Sequence, residues 1–336
     1  MSFFRQAMGC FCILSLVELS LAGDYPVLGK IERMDPRLDA IIPADAKIEV
    51  LASGFDWSEG PVWNKQAGFL LFSDVPKNTI YKWSPKDGLS KYLSPSGFSG
   101  VSTDGFEPGS NGLGYDAKGN LICCEHGDRR ISRMNIDGGK QTIIDSYNGK
   151  RLNSPNDLAF RANGDMYFTD PPYGLRKAEK DSQRELTFSG VFRLSPAGKL
   201  TLLNDQLTFP NGLAFSPDQK ILYVAQSDPE KAIVMAYPVK EDGTLGAGQI
   251  FCDQTPWVKQ GLPGLPDGMK VDREGNVFCT GPGGVHIFAP DGAHLGTINT
   301  GEATGNCCWG DDGKTLYINA DMWLVRVKTA TMGATW

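Results

Sequence analysis

The stretch Asn211-Gly212-Leu213-Ala214-Phe215 decides the fold, because variants of it recur along the whole chain. In each copy a polar lead residue precedes a small residue and an apolar run, and a turn then leads into a second strand. The lead residues of the six copies are Glu59, Asn111, Asn156, Asn211, Asp267 and, in the weakest copy, Asn306. Consecutive copies start 39 to 56 residues apart, a period that indicates a repeat architecture.

The strands inside the repeats are short, apolar and rich in β-branched residues. Second strands are predicted at 69–73, 121–124, 166–169, 221–225, 277–280 and 316–319, and third strands at 79–83, 131–135, 191–194, 233–237 and 285–288. No window of twelve or more residues has a convincing helical period, and the polar segment 175–186 is interpreted as an insert in the third copy. Two unrelated β-sandwiches would not repeat the lead residue. The pattern therefore predicts an all-β fold, a six-bladed β-propeller with a central metal site.

The chain outside the repeats suggests export and ring closure. Arg5, the largely apolar stretch 7–21 and the small residues at 20–22 predict a secretory signal over residues 1–22, with a degenerate N-terminal anchor as the alternative. We therefore expect a periplasmic or extracellular protein with no integral membrane span. An N-terminal extension over 23–50 and a strand near 324–327 are expected to close the ring. The propeller domain itself covers 51–330, and 331–336 forms a tail.

Composition excludes several classes of protein. The 336 residues contain 33 Lys and Arg against 39 Asp and Glu, so the net charge of −6 argues against a nucleic-acid partner. Only three His are present, which argues against a His-rich zinc site. After residue 22 six Cys remain, at 123, 124, 252, 279, 307 and 308. We expect mostly buried thiols, with one disulfide possible. Oligomeric state cannot be derived from the sequence.

The lead residues are candidate metal ligands, because the innermost strand of each propeller blade lines the central channel. Glu59, Asn156, Asn211 and Asp267 would offer two carboxylates and two amide oxygens there. Hard oxygen donors of this kind favour one divalent cation, and Ca²⁺ is the first candidate. Mg²⁺ and Mn²⁺ also bind oxygen ligands, whereas Zn²⁺ prefers nitrogen or sulfur. The competing interpretation is that Asn and Asp before Gly are ordinary turn residues. Asn111 occupies the same place and is a candidate substrate contact or outer ligand.

Several motifs resemble those of the gluconolactonase and regucalcin family. They are Glu59-Gly60-Pro61-Val62-Trp63, Cys124-Glu125-His126-Gly127, Ser154-Pro155-Asn156-Asp157, the run over 168–174, Phe209-Pro210-Asn211-Gly212-Leu213 and Leu265-Pro266-Asp267-Gly268. The resemblance spans about residues 45 to 330. It implies a six-bladed propeller whose metal-binding Glu, Asn, Asn and Asp fall on the four residues above, and an activity that hydrolyses sugar lactones. The diisopropyl fluorophosphatase type of propeller has a similar ligand set, so phosphotriester hydrolysis stays an alternative.

The expected mechanism is metal-dependent opening of a small-molecule sugar lactone. The cation would polarise the lactone carbonyl for attack by water. Asp267 is the candidate general base, with a metal-bound hydroxide as the competing account. His126 is either a substrate contact or proton shuttle, or a loop residue bonded to backbone. Tyr173 is a candidate pocket wall, because Pro171 and Pro172 stiffen the preceding loop.

Two further interpretations remain open at this point. The same propeller could be a non-catalytic module that binds a sugar or a protein on its face. A serine esterase is disfavoured, because no Ser occupies a Gly-x-Ser-x-Gly elbow.

Overall fold

The computed structural model describes residues 25–101, 107–135 and 138–335. The signal peptide predicted over residues 1–22 lies outside these ranges. Within them, no helix has the length and apolar character needed to cross a membrane.

Six antiparallel sheets of four or five strands dominate the described part of the chain and form the blades of a ring. From the inner strand outward, blade 1 is Ser58–Asn64, Phe69–Asp74, Thr79–Ser84 and Gly88–Leu93; blade 2 is Ser110–Tyr115, Leu121–Glu125, Arg130–Met134 and Lys140–Ile144; blade 3 is Leu158–Phe160, Met166–Asp170, Gly190–Leu194 and Leu200–Asn204. Blade 4 is Pro210–Phe215, Ile221–Asp228, Lys231–Pro238 and Gln249–Asp253; blade 5 is Met269–Val271, Val277–Gly281, Gly284–Phe288, His294–Asn299 and Lys30–Arg33; blade 6 is Thr304–Gly310, Thr315–Ala320, Trp323–Lys328 and Glu49–Ser53. The inner strand of each blade contacts that of the next, and blade 6 contacts blade 1. The predicted six-bladed β-propeller is confirmed.

The core lies between neighbouring blades rather than inside one sheet. Middle strands such as Leu121–Glu125 are buried along their whole length, because a blade covers each of their faces. Outer strands such as Gly88–Leu93 are largely exposed, including the side chains of Leu89 and Tyr92. Between blades 1 and 6, Trp63 stacks on Tyr317 with ring centroids 5.3 Å apart.

The ring is closed by a strand from the N-terminal side of the chain. Glu49–Ser53 pairs antiparallel with Trp323–Lys328 and becomes the outer strand of blade 6. An ion pair joins the two strands, with Arg326 Nε 2.7 Å from a carboxylate oxygen of Glu49. Lys30–Arg33 adds a fifth strand to blade 5 by pairing with His294–Asn299.

Helical structure in the described residues is brief. It consists of two 3₁₀ turns, Pro36–Ala40 and Ala178–Lys180, and one α-helix, Thr255–Lys259. A two-stranded hairpin also joins Ser146–Tyr147 to Lys150–Arg151. The turn Ala178–Lys180 lies within the polar insert of blade 3, between its second and third strands.

The six cysteines that follow the predicted signal are all buried as free thiols. Burial raises the pKa of Cys123 to about 11 and that of Cys252 to about 12. Such thiols pack as small hydrophobic groups and are poor nucleophiles. The structure contains no disulfide between these six residues.

Candidate active site

Five of the six lead residues of the repeats meet at the end of the channel where the inner strands begin. A cavity of about 250 Å³ opens there, lined by Trp57, Glu59, Glu107, Asn111, Asn156, Tyr173, Asn211, Ser227, Gly264, Leu265 and Asp267. Six of the seven site residues predicted from the sequence are in this lining: Glu59, Asn111, Asn156, Tyr173, Asn211 and Asp267. Glu59 and Asp267, which are 208 positions apart in sequence, are therefore brought to one cavity.

Irregular strand starts place these side chains at the channel. The pairing register of blade 1 shifts between Glu59 and Val62, and blades 2 and 4 shift at the equivalent point. Such bulges redirect a side chain at the end of a strand. Gly60 has a φ of +52°, and a Cβ there would overlap the carbonyl group of Asn111. The glycine after the lead residue thus allows neighbouring inner strands to approach closely at the axis.

Two buried carboxylates face this cavity without a basic partner in its lining. Burial is the main cause that raises the pKa of Glu59, reinforced by the nearby Asp157, while the backbone N–H of Gly60 opposes it by donating to Glu59 Oε2 over 2.8 Å. The pKa of Asp267 is raised by burial and then by repulsion from Glu59. Each carboxylate destabilises the charge of the other, so the cavity attracts positive charge.

The wall beside Asp267 fixes the orientation of Asn211. Its amide Nδ2 donates to Ser227 Oγ over 2.9 Å, and Ser227 in turn donates to the carbonyl oxygen of Pro266. This arrangement leaves Asn211 Oδ1 buried with no hydrogen-bond partner. Tyr173 stacks on Phe209 at 5.9 Å between ring centroids, and burial raises the pKa of its hydroxyl.

A hydrogen bond next to the cavity joins Asp157, which follows the lead residue Asn156, to the lead residue Asn306. Asp157 accepts from the backbone N–H of Leu158 over 2.8 Å, and Asn306 Nδ2 donates to its other oxygen over 3.3 Å. Asn306 Oδ1 accepts from the backbone N–H of Cys307. Asp157 therefore joins the inner strands of blades 3 and 6 and adds negative charge below Glu59 and Asp267.

His126 does not line the cavity. It is fully buried, and neither ring nitrogen has a hydrogen-bond partner. The carboxylate of Glu107 lies close to the ring, with Oε2 3.8 Å from His126 Nδ1. Burial lowers the pKa of His126 to about 3, so the imidazole is neutral. A direct substrate contact by His126 stays a prediction.

The four candidate ligands fit a hard divalent cation. Asn211 Oδ1 and Asp267 Oδ1 are buried without partners, which is costly unless something satisfies them. Glu59 and Asp267 would supply the compensating charge, and Asn156 an amide oxygen. The described residues contain no group of three or more His, Cys, Asp or Glu placed to hold a metal. The four candidate ligands differ from such a group because asparagines supply half of the donors.

Several lining residues escape prediction from the sequence, and most of them lie in loops. Trp57 and Leu265 each stand two positions before a lead residue, Glu59 and Asp267, and that proximity is a usable signal. Glu107 lies in the connection from blade 1 to blade 2 and carries no repeat signal. Ser227 is near the end of a middle strand, where period alone gives no functional indication.

Together these features define a class: a six-bladed β-propeller with an acidic, amide-rich site at one mouth of its channel. The model of the family described as "SMP-30/Gluconolactonase/LRE-like region" matches residues 57–321. The chain belongs to this family.

Individual relatives agree with the family match. A gluconolactonase of Zymomonas mobilis subsp. mobilis is 45% identical over 312 residues, which cover 91% of this chain and 88% of that protein. The solved structure of a gluconolactonase from Xanthomonas campestris superposes with a TM-score of 0.78 at 32% identity, covering 92% of this chain and 99% of that one. The calcium-binding protein regucalcin of Agrobacterium tumefaciens shares the fold, with a TM-score of 0.66 at 17% identity over 84% of this chain and 94% of its own.

Proposed function

We propose that this protein hydrolyses sugar lactones with the help of one divalent cation held by Glu59, Asn156, Asn211 and Asp267. The observation that carries the proposal is the convergence of these four oxygen donors in one cavity with two of their oxygens unpartnered. The 45% identity to a gluconolactonase over most of both chains supports the choice of substrate class. Ca²⁺ is proposed first, because all four donors are hard oxygens and carry a formal charge of −2.

The chain's own residues have separable roles in this reaction. A cation bound to the four donors would supply Lewis-acid stabilisation of the developing oxyanion. Asp267 is proposed to accept the proton of the attacking water through the carboxylate oxygen that does not hold the cation. Asn111 would hydrogen-bond the substrate, and Tyr173, fixed by its stack on Phe209, would wall the ring-binding space.

The test is lactone hydrolysis by the purified protein, measured as acid release in weakly buffered solution on a panel of aldonolactones. Turnover should be lost after chelation and return with one added divalent cation, and elemental analysis should give about one ion per chain. Asp267→Asn should lower kcat/KM by about 10²-fold or more. The matched control is Asp272→Asn, a buried aspartate at the far end of the same inner strand, whose partners are Asn276 and Thr331.

The panel also separates the alternatives. A protein that turns over a phosphotriester but no lactone would be a phosphotriesterase-like hydrolase. One that binds sugar with no turnover would be a binding module. Chelator-insensitive lactone hydrolysis would refute the metal-dependent mechanism.

Export is part of the proposal. It is supported by the signal pattern of residues 1–22 and would be tested by the N-terminal sequence and cell fraction of the mature protein.

A further inference from the structure

Glu107 is a carboxylate of the cavity that the four-donor set does not use. The lining has four ionisable side chains, Glu59, Glu107, Tyr173 and Asp267. Glu59 and Asp267 are the proposed cation ligands, and a raised pKa makes Tyr173 a poor proton donor near neutral pH. Glu107 is therefore the remaining group of the lining that can give and take a proton near neutral pH.

The backbone around Glu107 is fastened to the segment that carries His126. The N–H of His126 donates to the carbonyl of Gly109 over 3.1 Å, and that of Gly127 donates to Pro108 over the same distance. On its other side His126 is confined by Gly174, where an added Cβ would come within 2.6 Å of His126 Cβ. These contacts hold the imidazole in place, with Nδ1 3.8 Å from Glu107 Oε2.

The side chain of His126 makes no hydrogen bond, and the carboxyl of Glu107, 3.8 Å from Nδ1, is the polar group placed to form one. Both ring nitrogens are buried and unpartnered, and such groups are costly to leave unsatisfied. The Glu107 side chain is 42% exposed, whereas that of His126 is 0% exposed. His126 is thus fixed inside the fold, whereas the Glu107 side chain reaches the open mouth of the cavity.

We propose that Glu107 is the general acid that protonates the leaving ring oxygen of the lactone, and that His126 is the residue that positions it. This inference rests on the proposed lactonase function. Water forms a bond to the carbonyl carbon and gives its proton to the base. The bond from that carbon to the ring oxygen then breaks, its electron pair goes to the ring oxygen, and this oxygen takes the proton of the Glu107 carboxyl. The product is a hydroxy acid, and Glu107 is reprotonated from solvent.

The electrostatic surroundings support this role. Partial burial in the cavity raises the pKa of Glu107, which favours its protonated form. The groups that face it are the neutral His126 on the protein side and Glu59, Asp267 and Tyr173 across the cavity. A carboxylic acid whose pKa is raised, in a cavity that contains further carboxyl groups, is a recurrent general-acid arrangement.

The experiment compares two lactones that differ in their leaving group. Opening an aldonolactone expels an alkoxide, which needs a proton donor. Opening dihydrocoumarin expels a phenolate, whose conjugate acid has a pKa of about 10 and needs little help. Glu107→Gln should lower kcat on the aldonolactone by about 10²-fold or more, and on dihydrocoumarin by less than about tenfold. It should also remove the loss of kcat/KM on the alkaline side of the pH profile.

Two further variants complete the design. His126→Gln should also lower kcat more on the aldonolactone than on dihydrocoumarin, but by a smaller factor than Glu107→Gln. The double variant should have the same kcat as Glu107→Gln alone. Glu302→Gln removes the same charge from a loop on this face outside the lining, and should leave both rates within about twofold of wild type.

Equal losses on both lactones, or no loss on the aldonolactone, would overturn the role of Glu107. A larger loss in the double variant than in Glu107→Gln would overturn the role of His126. Failure of the proposed function is distinguishable, because wild type itself would then open neither lactone, and both proposals would fall together.

Discussion

Lowering the pH from 7 to 5 should destabilise the protein by about 2 kcal/mol through His286 alone. This side chain is 3% exposed and stacks on Trp257 at 4.2 Å between ring centroids. Its Nε2 lies 3.1 Å from the carbonyl oxygen of Pro282, so Nε2 carries the proton. Nδ1 then accepts from Thr297 Oγ1 over 3.0 Å. The hydroxyl of Thr297 in turn accepts from His294 Nε2.

The magnitude follows from the pKa of His286, which burial and then the neighbouring His294 lower to about 3. In the unfolded chain a histidine takes up its proton near pH 6.5. Between pH 6.5 and 3 the unfolded state therefore binds more protons than the folded state, and stability falls as the pH falls. With these two pKa values, the loss is about 2 kcal/mol from pH 7 to 5 and about 3 kcal/mol from pH 7 to 4.

The assay is urea unfolding at 25 °C at pH 7 and pH 5 for wild type and His286→Gln. Whatever the stability of the variant at pH 7, its loss on acidification should be about 2 kcal/mol smaller than that of wild type. Subtracting the two losses removes the contributions of other titrating groups. His294→Gln is the control, with a smaller difference expected because His294 is only partly buried. Equal acid losses in wild type and His286→Gln would refute the reasoning.

Three further results are expected. Glu59→Gln should weaken cation binding by at least about tenfold in calorimetry, because it removes half of the donor charge; unchanged affinity would remove Glu59 from the donor set. Gly60→Ala should destabilise the fold by more than the roughly 1–2 kcal/mol that positive φ alone costs. The control is Gly68→Ala, because Gly68 also has a positive φ, +69°, but lies in open space. Equal losses of unfolding free energy in urea for the two variants would contradict the close approach of Gly60 to Asn111. A thiol reagent should modify the native protein at none, and the unfolded protein at all, of Cys123, Cys124, Cys252, Cys279, Cys307 and Cys308; fast native labelling would contradict their burial.

Much of the propeller could be predicted from sequence because its middle strands are covered on both faces. A strand such as Leu121–Glu125 must then be almost wholly apolar, and such a run is easily recognised. The strand predicted over 121–124 is one residue shorter than the observed strand Leu121–Glu125. Outer strands such as Gly88–Leu93 give no comparable signal, because they are exposed and mix polar residues with apolar ones such as Leu89 and Tyr92.

The candidate site likewise has residues that the sequence predicts and residues that only the structure shows. Six predicted residues line one cavity because the repeat places each at the start of an inner strand or, for Tyr173, directly after a middle strand. Glu107 could not be found, since the path of the loop from blade 1 to blade 2 brings it to the cavity. For His126 the sequence predicts a position near the channel mouth, but only the structure shows that the carboxylate of Glu107 lies 3.8 Å from its Nδ1.

The closure of the ring has a consequence for folding kinetics. The strand Glu49–Ser53 can pair only after its partner strand Trp323–Lys328 has been synthesised. The ion pair between Glu49 and Arg326 spans 277 residues. Blade 6 is thus synthesised last except for its outer strand, which is made before blade 1. During synthesis that strand stays unpaired until nearly the whole chain has emerged, and non-local pairing of this kind folds slowly. A ribosome-bound chain lacking blade 6 would hold five blades and a free strand edge, which makes late closure the step most exposed to aggregation.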